Sequence, residues 1–379
     1  MRVMILVTHL LGTGHLARAL TLARAFSDAG HTTRVVSGGM PAPHLDDGVT
    51  DVLQLPPLRS DGTNFTRLLG RDGQVAGEQT FRDRRNALTE ALKGFHPDIL
   101  ITELFPFGRR VLKDEFFAAL ETAQALNPRP VILSSVRDIL AAPSKPAKAQ
   151  MAEDLIGAYY DAVLVHADAT VTTLDESWPV TPVVAGKLRY TGYVARQNAA
   201  TSPSGLRSGI VVSTGGGAVA DNLFETVIDC ARDMAEHSWR LLVAGQNAPA
   251  RIAQLTRRAG RNVTVGPASD NFRGLLSGAA ASVSLCGYNT ALDVLQTGVP
   301  AVFVPFDADG ETEQTLRAQG LSRQSNIDLL RNRDLSAQAL GDAISNVISA
   351  AKRPLPGDIF DGAAETVRIA ETIRRNRDA

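Results

Sequence analysis

The chain has 379 residues, 44% of them apolar and 21% charged, with a formal net charge of -1 at pH 7. That length suits two domains of ordinary size with filled cores, and the near-neutral balance lacks the basic excess of a duplex-binding protein. Cys230 and Cys286 lie too far apart in sequence for a disulfide framework or a zinc-ligand pair, which fits a reducing compartment. The apolar run that ends at Val7 is too short for a signal h-region, and no stretch reaches the roughly 18 apolar residues of a membrane span. A cytoplasmic protein is expected, with peripheral membrane contact open.

Short β-branched runs alternate with helical patterns, which predicts an α/β chain of βαβ units and parallel sheets. Val3–Val7 reads as the first strand and Gly14–Ala29 as a helix that Gly30 ends. Thr33–Ser37, Asp98–Thr102, Val131–Ser134 and Ala162–Val165 read as further strands of that sheet. Residues 46–79 are polar and weakly periodic, the pattern of a long surface loop, and 141–149 reads as another. Phe105, Phe107, Arg109, Arg110, Phe116 and Phe117 follow the strand 98–102. They fit either a bilayer contact or a buried helix start with solvated arginines.

The composition turns polar and small at 195–208, which predicts a linker. It separates an N-terminal domain, 1–194, from a second set of βα units, 209–356. The second set has strands at Ile210–Ser213, Arg240–Ala244, Val263–Val265, Ala281–Leu285 and Ala301–Val304. A last helix lies within 357–379. Two Rossmann-like domains facing each other across a cleft are expected.

Gly12-Thr13-Gly14-His15 joins a strand to a helix, where glycines allow close approach and free N–H groups favour anions. A histidine there can serve as a general base. The turn also fits a plain connection or a dinucleotide fingerprint. The fingerprint wants an acid at the end of the second strand, where Arg34-Val35-Val36-Ser37 stands instead. Glu103, ending the strand 98–102, is the rival base, and Asp138 a third candidate that orients the base or binds acceptor hydroxyls.

In the second half, Gly215, Gly216 and Gly217 follow a strand and form a concavity suited to phosphate. Gly287-Tyr288-Asn289-Thr290 opens a helix after a buried strand, a diphosphate site in form, with Asp293 one turn inside. Glu313 and Gln314 offer paired polar groups for sugar hydroxyls. Asp307 and Asp309 match a metal-binding pattern but lack a third ligand, so no metal is expected.

Gly14-His15, Gly287-Tyr288-Asn289-Thr290 and Glu313-Gln314 together resemble glycosyltransferase family 28. Ser135-Val136-Arg137-Asp138-Ile139-Leu140 and Tyr190-Thr191-Gly192-Tyr193 add likeness to a bacterial group of predicted glycosyltransferases whose acceptors are undefined. The resemblance implies a GT-B fold and an inverting, metal-independent transfer from a nucleotide diphosphate sugar, with no other cofactor. It places the base near Phe272, the diphosphate at Gly216, Gly217 and 287–290, the ribose at Asp293 and the sugar at Glu313 and Gln314. His15 would face the acceptor, with Gly12, Gly14 and Arg137 on the same side. Asp293 replaces a glutamate of the cell-wall relatives, and the loop before Glu313 is one residue longer. The pattern from Gly12 to Arg18 also resembles a UDP-sugar hydrolase of the same fold. A non-hydrolysing epimerase and a non-catalytic sugar-nucleotide binder remain alternatives.

Overall fold

Eight strands form the first sheet: β1 (Arg2–Val7), β2 (Thr32–Gly39), β3 (Val52–Asp61), β4 (Asn64–Leu69), β5 (Ile99–Glu103), β6 (Val131–Arg137), β7 (Ala162–His166) and β8 (Leu188–Tyr190). Runs such as Val3–Val7 and Ile99–Ile101 are wholly buried, as strands covered on both faces must be. The order is β4-β3-β2-β1-β5-β6-β7-β8, parallel except for the β3–β4 pair. The chain leaves β1 towards β2 and later returns to its other side with β5, so the order reverses at β1. Ligands of open α/β sheets bind at such a reversal, outside the carboxyl ends of the strands.

The second sheet is parallel throughout, in the order β11-β10-β9-β12-β13-β14. Its strands are β9 (Ile210–Ser213), β10 (Trp239–Val243), β11 (Val263–Pro267), β12 (Ala281–Ser284), β13 (Ala301–Phe303) and β14 (Ile327–Leu329). Here the reversal falls between β9 and β12. The computed structural model describes residues 1–62, 64–195, 207–214, 221–245, 247–269, 271–307, 312–351 and 358–378. Most of the stretch read as a linker, 196–206, lies outside them.

The chain divides into two compact units. The first joins Met1–Arg196 to Asp358–Ala379, and the second is Gln197–Gly357. The last helix, Gly362–Asp378, therefore belongs to the N-terminal unit. Its Val367, Ile369 and Ala370 share a core with Leu16, Ala19, Leu22 and Phe26 of the helix Gly14–Asp28.

Two expectations are corrected. The polar stretch 46–79 is not a loop throughout: it holds β3, β4 and the start of the helix Glu78–Phe95. Leu55 and Leu58 are buried, and the β2–β3 register shifts between Ser37 and Gly39 around Pro56-Pro57. That irregularity breaks the alternation by which a strand is read. In the stretch 141–149, Pro146 starts the helix Pro146–Tyr159, where its fixed φ and missing N–H suit the first turn. Of the aromatics after β5, Phe105, Phe107 and Phe116 are buried, with Phe105 stacked on Phe116, as the reading of a buried helix start has it. No helix among the described residues is long and apolar enough to cross a membrane.

Arg84 ties the N-terminal unit together. Its fully buried guanidinium grips Glu115 through two hydrogen bonds, of 2.7 and 2.8 Å. It also donates to the carbonyls of Gly38 and Pro56, on either side of the irregular β2–β3 pairing. Breaking a buried pair leaves an uncompensated charge, at a cost of about 3–5 kcal/mol. Glu115→Ala should therefore lower unfolding stability by that order in urea titrations. Truncating Lys93, whose pair with Glu90 is exposed, should cost less than about 0.5 kcal/mol.

Candidate active site

Strand alternation builds the N-terminal site. In β5, Ile99 and Ile101 face one core, and two residues further Glu103 points the same way. In β6, Val131 and Leu133 lead likewise to Ser135, and in β7, Ala162 and Leu164 lead to His166. Glu103 and Ser135 are register partners across the β5–β6 pair. The apolar face thus ends in a buried row of carboxylate, hydroxyl and imidazole, each 2% exposed or less.

The helix Gly14–Asp28 covers that row with its first turn. Gly12 makes the entry possible with φ +66°, a region open mainly to glycine. His15 Nδ1 lies 2.8 Å from Glu103 Oε1, and Arg18 Nη2 bonds the same oxygen. Ser135 Oγ donates to Glu103 Oε2 at 2.6 Å. An ionised carboxylate only accepts, so the His15 hydrogen sits on Nδ1 and points at Glu103. The Arg18 Nη2 atom, 3.2 Å from Nδ1, is then a second donor to the shared oxygen and not a partner of the ring. His15 Nε2 keeps its lone pair and has no hydrogen-bond partner among the described residues. Such an arrangement has the geometry of a base oriented by an acid.

Burial lowers the His15 pKa to about 4, against the opposing pull of Glu103 and with Arg18 and Arg109 assisting. The ring is neutral at pH 7 for that reason. Glu103 is held well below the usual carboxylate range: Arg18 and His15 outweigh its desolvation. The two sequence candidates for the base thus form one pair, His15 presenting the lone pair and Glu103 aiming it. Asp138 Oδ1 accepts the N–H of Ile139 at 2.8 Å. Arg137 ends β6, in register with His166. Arg109, with φ +58°, donates through Nε to the Thr8 carbonyl at 2.6 Å. Burial pulls its pKa down to about 10, and Arg137 and Arg18 add to the fall while Glu103 opposes it.

In the C-terminal unit, Gly287 precedes the helix Tyr288–Thr297, which starts just beyond the end of β12, at the strand reversal. Asn289 is exposed, Thr290 half-buried and Tyr288 buried. Asp293 is paired: Arg273 holds its Oδ1 at 2.8 and 3.0 Å. Glu313 is paired too, with Arg317 at 2.9 Å one turn on, and Gln314 Oε1 accepts the Phe306 N–H at 3.2 Å. Arg317 is buried, donates to the Cys286 carbonyl at 2.8 Å and lies over the Tyr288 ring. One guanidinium therefore joins the turn at 286–288 to the helix Glu313–Leu321. Phe272 is half-buried at the start of the helix Phe272–Gly278, beside Arg273. Gly216, Gly217 and Asp309 lie outside the described residues, and among those described no group of three or more His, Cys, Asp or Glu could hold a metal.

Sequence reading missed Ser135 and His166 as members of the site, and Arg273 and Arg317 as partners of its acids. Carrying the alternation two residues past Leu133 and Leu164 finds the first two. The i,i+4 spacing of Glu313 and Arg317 finds the last.

Residues 210–369 match the Glycosyltransferase family 28 C-terminal domain. A UDP-N-acetylglucosamine--N-acetylmuramyl-(pentapeptide) pyrophosphoryl-undecaprenol N-acetylglucosamine transferase of Lactococcus lactis is 26% identical over 170 residues, 43% of this chain and 48% of that protein. The chain spans less than half the length of the curated relatives it matches. Among solved structures, the calicheamicin glycosyltransferase CalG4 superposes with a TM-score of 0.66 at 17% identity, covering 99% of this chain and 98% of that one. MurG of Acinetobacter baumannii gives 0.62 at 16% identity, covering 99% of both chains. These likenesses show the GT-B fold. The family 28 match runs into the helix Gly362–Asp378, so its final turns belong structurally to the N-terminal unit.

A pH dependence of stability follows. Burial also lowers the pKa of His166, to about 3, so both histidines are depressed from 6.5 on folding. Between pH 6.5 and about 4 the unfolded chain binds more protons, so stability is full above that window and falls as pH falls through it. Urea midpoints should drop between pH 7 and 4.5, each histidine contributing up to about 1.4 kcal/mol per pH unit. A flat profile over that window would contradict the burial of both rings.

Proposed function

We propose that the chain is an inverting, metal-independent glycosyltransferase. It moves a hexose or N-acetylhexosamine from UDP to a hydroxyl of a lipid-linked or saccharide acceptor. The observation that carries this reading is the His15–Glu103 pair at the reversal point of the first sheet, with Nε2 open. Such a base takes the acceptor hydroxyl proton as the oxygen attacks the anomeric carbon and the nucleotide diphosphate leaves. Glu103 stays ionised and stabilises the imidazolium that forms. The donor reading rests on the match to the family 28 C-terminal domain and on the helix start at Tyr288–Thr290, where the positive end of the helix dipole suits a diphosphate. The lipid-linked acceptor named for the Lactococcus lactis relative supports that class of acceptor here.

Arg273 and Arg317 refine the donor site. Asp293 and Glu313 come to the ligand already paired, so each offers a fixed carboxylate oxygen and not a free charge. A hydroxyl of ribose or sugar can add to such an oxygen, which keeps acceptor capacity beyond its arginine.

Loss of a general base costs about 100- to 10,000-fold in rate. His15→Ala should lower turnover by that order while UDP affinity, measured by calorimetry, stays within about twofold. Full turnover by His15→Ala with a transferring acceptor would remove the assignment. UDP should bind far more tightly than UMP, because the second phosphate meets the helix-start amides; equal affinities would displace the diphosphate from Gly287–Thr290. Turnover that EDTA abolishes and magnesium or manganese restores would refute metal independence. Fast consumption of UDP-sugar without any acceptor would identify a hydrolase instead, with water in place of the acceptor.

A further inference from the structure

His166 is a fully buried histidine that the transfer chemistry does not use. Its Nε2 lies 2.9 Å from Ser135 Oγ and its Nδ1 2.8 Å from Thr191 Oγ1. We propose that Ser135 and His166 are positioning residues that hold the Glu103 carboxylate in the orientation that aims His15. This rests on the proposed role of His15 for its effect on turnover, but the wiring itself can be read without turnover.

The direction of each hydrogen follows from Glu103 outward. Ser135 Oγ must give its only hydrogen to the ionised carboxylate, 2.6 Å away. The contact between Ser135 and His166 then requires His166 to donate from Nε2. A neutral imidazole has one N–H, so Nδ1 is an acceptor and takes the Thr191 hydroxyl hydrogen. Burial keeps His166 neutral, with the Arg18 charge adding to the effect and Glu103 opposing it. Thr191 Oγ1 also lies 2.7 Å from the Gly192 carbonyl. A proton added to His166 would turn the threonine hydrogen to that carbonyl and reverse this end of the chain.

The need for such a chain lies in Arg18. Its Nη2 bonds Oε1, and its Nε lies 3.5 Å from Oε2. A guanidinium fork prefers both oxygens of one carboxylate. Here the fork meets both, but its contact with Oε2 is the long one, so that oxygen needs a second holder. Ser135, itself fixed by His166, supplies it at 2.6 Å and leaves Oε1 to His15. No proton moves along the chain in this arrangement, and Glu103 remains a carboxylate throughout.

Thr191 is placed by a close backbone approach. Gly192 has φ +77°, and a Cβ there would lie 2.7 Å from the Ile359 carbonyl oxygen. Tyr193 N–H donates to that same oxygen at 2.6 Å. The segment bearing the outer end of the chain is thereby pinned to the returning C-terminal segment.

The test uses ring resonances of 15N-histidine-labelled full-length protein together with two variants. In the parent protein, His15 should carry its hydrogen on Nδ1 and His166 on Nε2, with His166 neutral from pH 5 to 8. Ser135→Ala should shift or broaden the His15 Nδ1–H signal and lower kcat about 10- to 100-fold, the scale of a small misplacement of a reacting group. UDP affinity should be unchanged. His166→Gln, which keeps an N–H within reach of Ser135, should retain most of the rate, whereas His166→Leu should resemble Ser135→Ala. Hydrogen on His166 Nδ1 in the parent protein, or titration of that ring near 6.5 there, overturns the proposal whether or not the variants fold. So does a Ser135→Ala protein with full kcat and an unmoved His15 signal. Absence of transferase activity with the wiring intact would instead count against the proposed function.

Discussion

A carboxylate buried at the end of a strand has to be paired, and the N-terminal site is organised around that requirement. Glu103 is 2% exposed, and desolvation alone would protonate it. Arg18 supplies the compensating charge, and His15 and Ser135 supply further hydrogen bonds. Those partners come from the covering helix and the adjacent strand, so the pairing also fixes how helix and sheet meet. The imidazole is neutral because it is buried, and aimed because the carboxylate beside it stays charged.

The C-terminal unit solves a related problem differently. Its acids are less buried and each is met by a nearby arginine, Asp293 by Arg273 and Glu313 by Arg317. Arg317 reaches two loops at once, since the Cys286 carbonyl and the Tyr288 ring precede or open one helix and Glu313 opens another. Such a bridge orders a turn that has no side-chain cap of its own. Both units place their polar groups where strand order reverses, the position that leaves helix starts on both sides of one strand end.

Much of this was legible in the sequence. The parallel strands and the glycine turn follow from hydrophobic pattern and local chemistry, and so do the helix starts at His15 and Tyr288. What escaped is non-local or irregular. β3 and β4 were hidden because Pro56-Pro57 interrupts alternation and because the buried partner of that irregularity, Arg84, lies in a helix some thirty residues away. His15 and Glu103 were read as rivals, since nothing local reveals that the two meet across 88 positions. The motifs around Ser135 and Thr191 were noticed for their likeness to other proteins. Their physical reason, a shared histidine between them, appears only when three strands lie side by side.

The return of the final helix to the N-terminal unit has a consequence for biosynthesis. Leu16, Phe26, Val367 and Ala370 belong to one core, although some 350 residues of chain separate their ends. During translation the N-terminal sheet can form early, but the face beside the helix Gly14–Asp28 is covered only once the helix Gly362–Asp378 has been made. The second unit, continuous in sequence, is complete before the first. A stop after about residue 357 would therefore spare the second sheet and leave a gap in the other unit. The damage from losing the helix Gly362–Asp378 would fall on the unit built from residues 1–196, far from it in sequence.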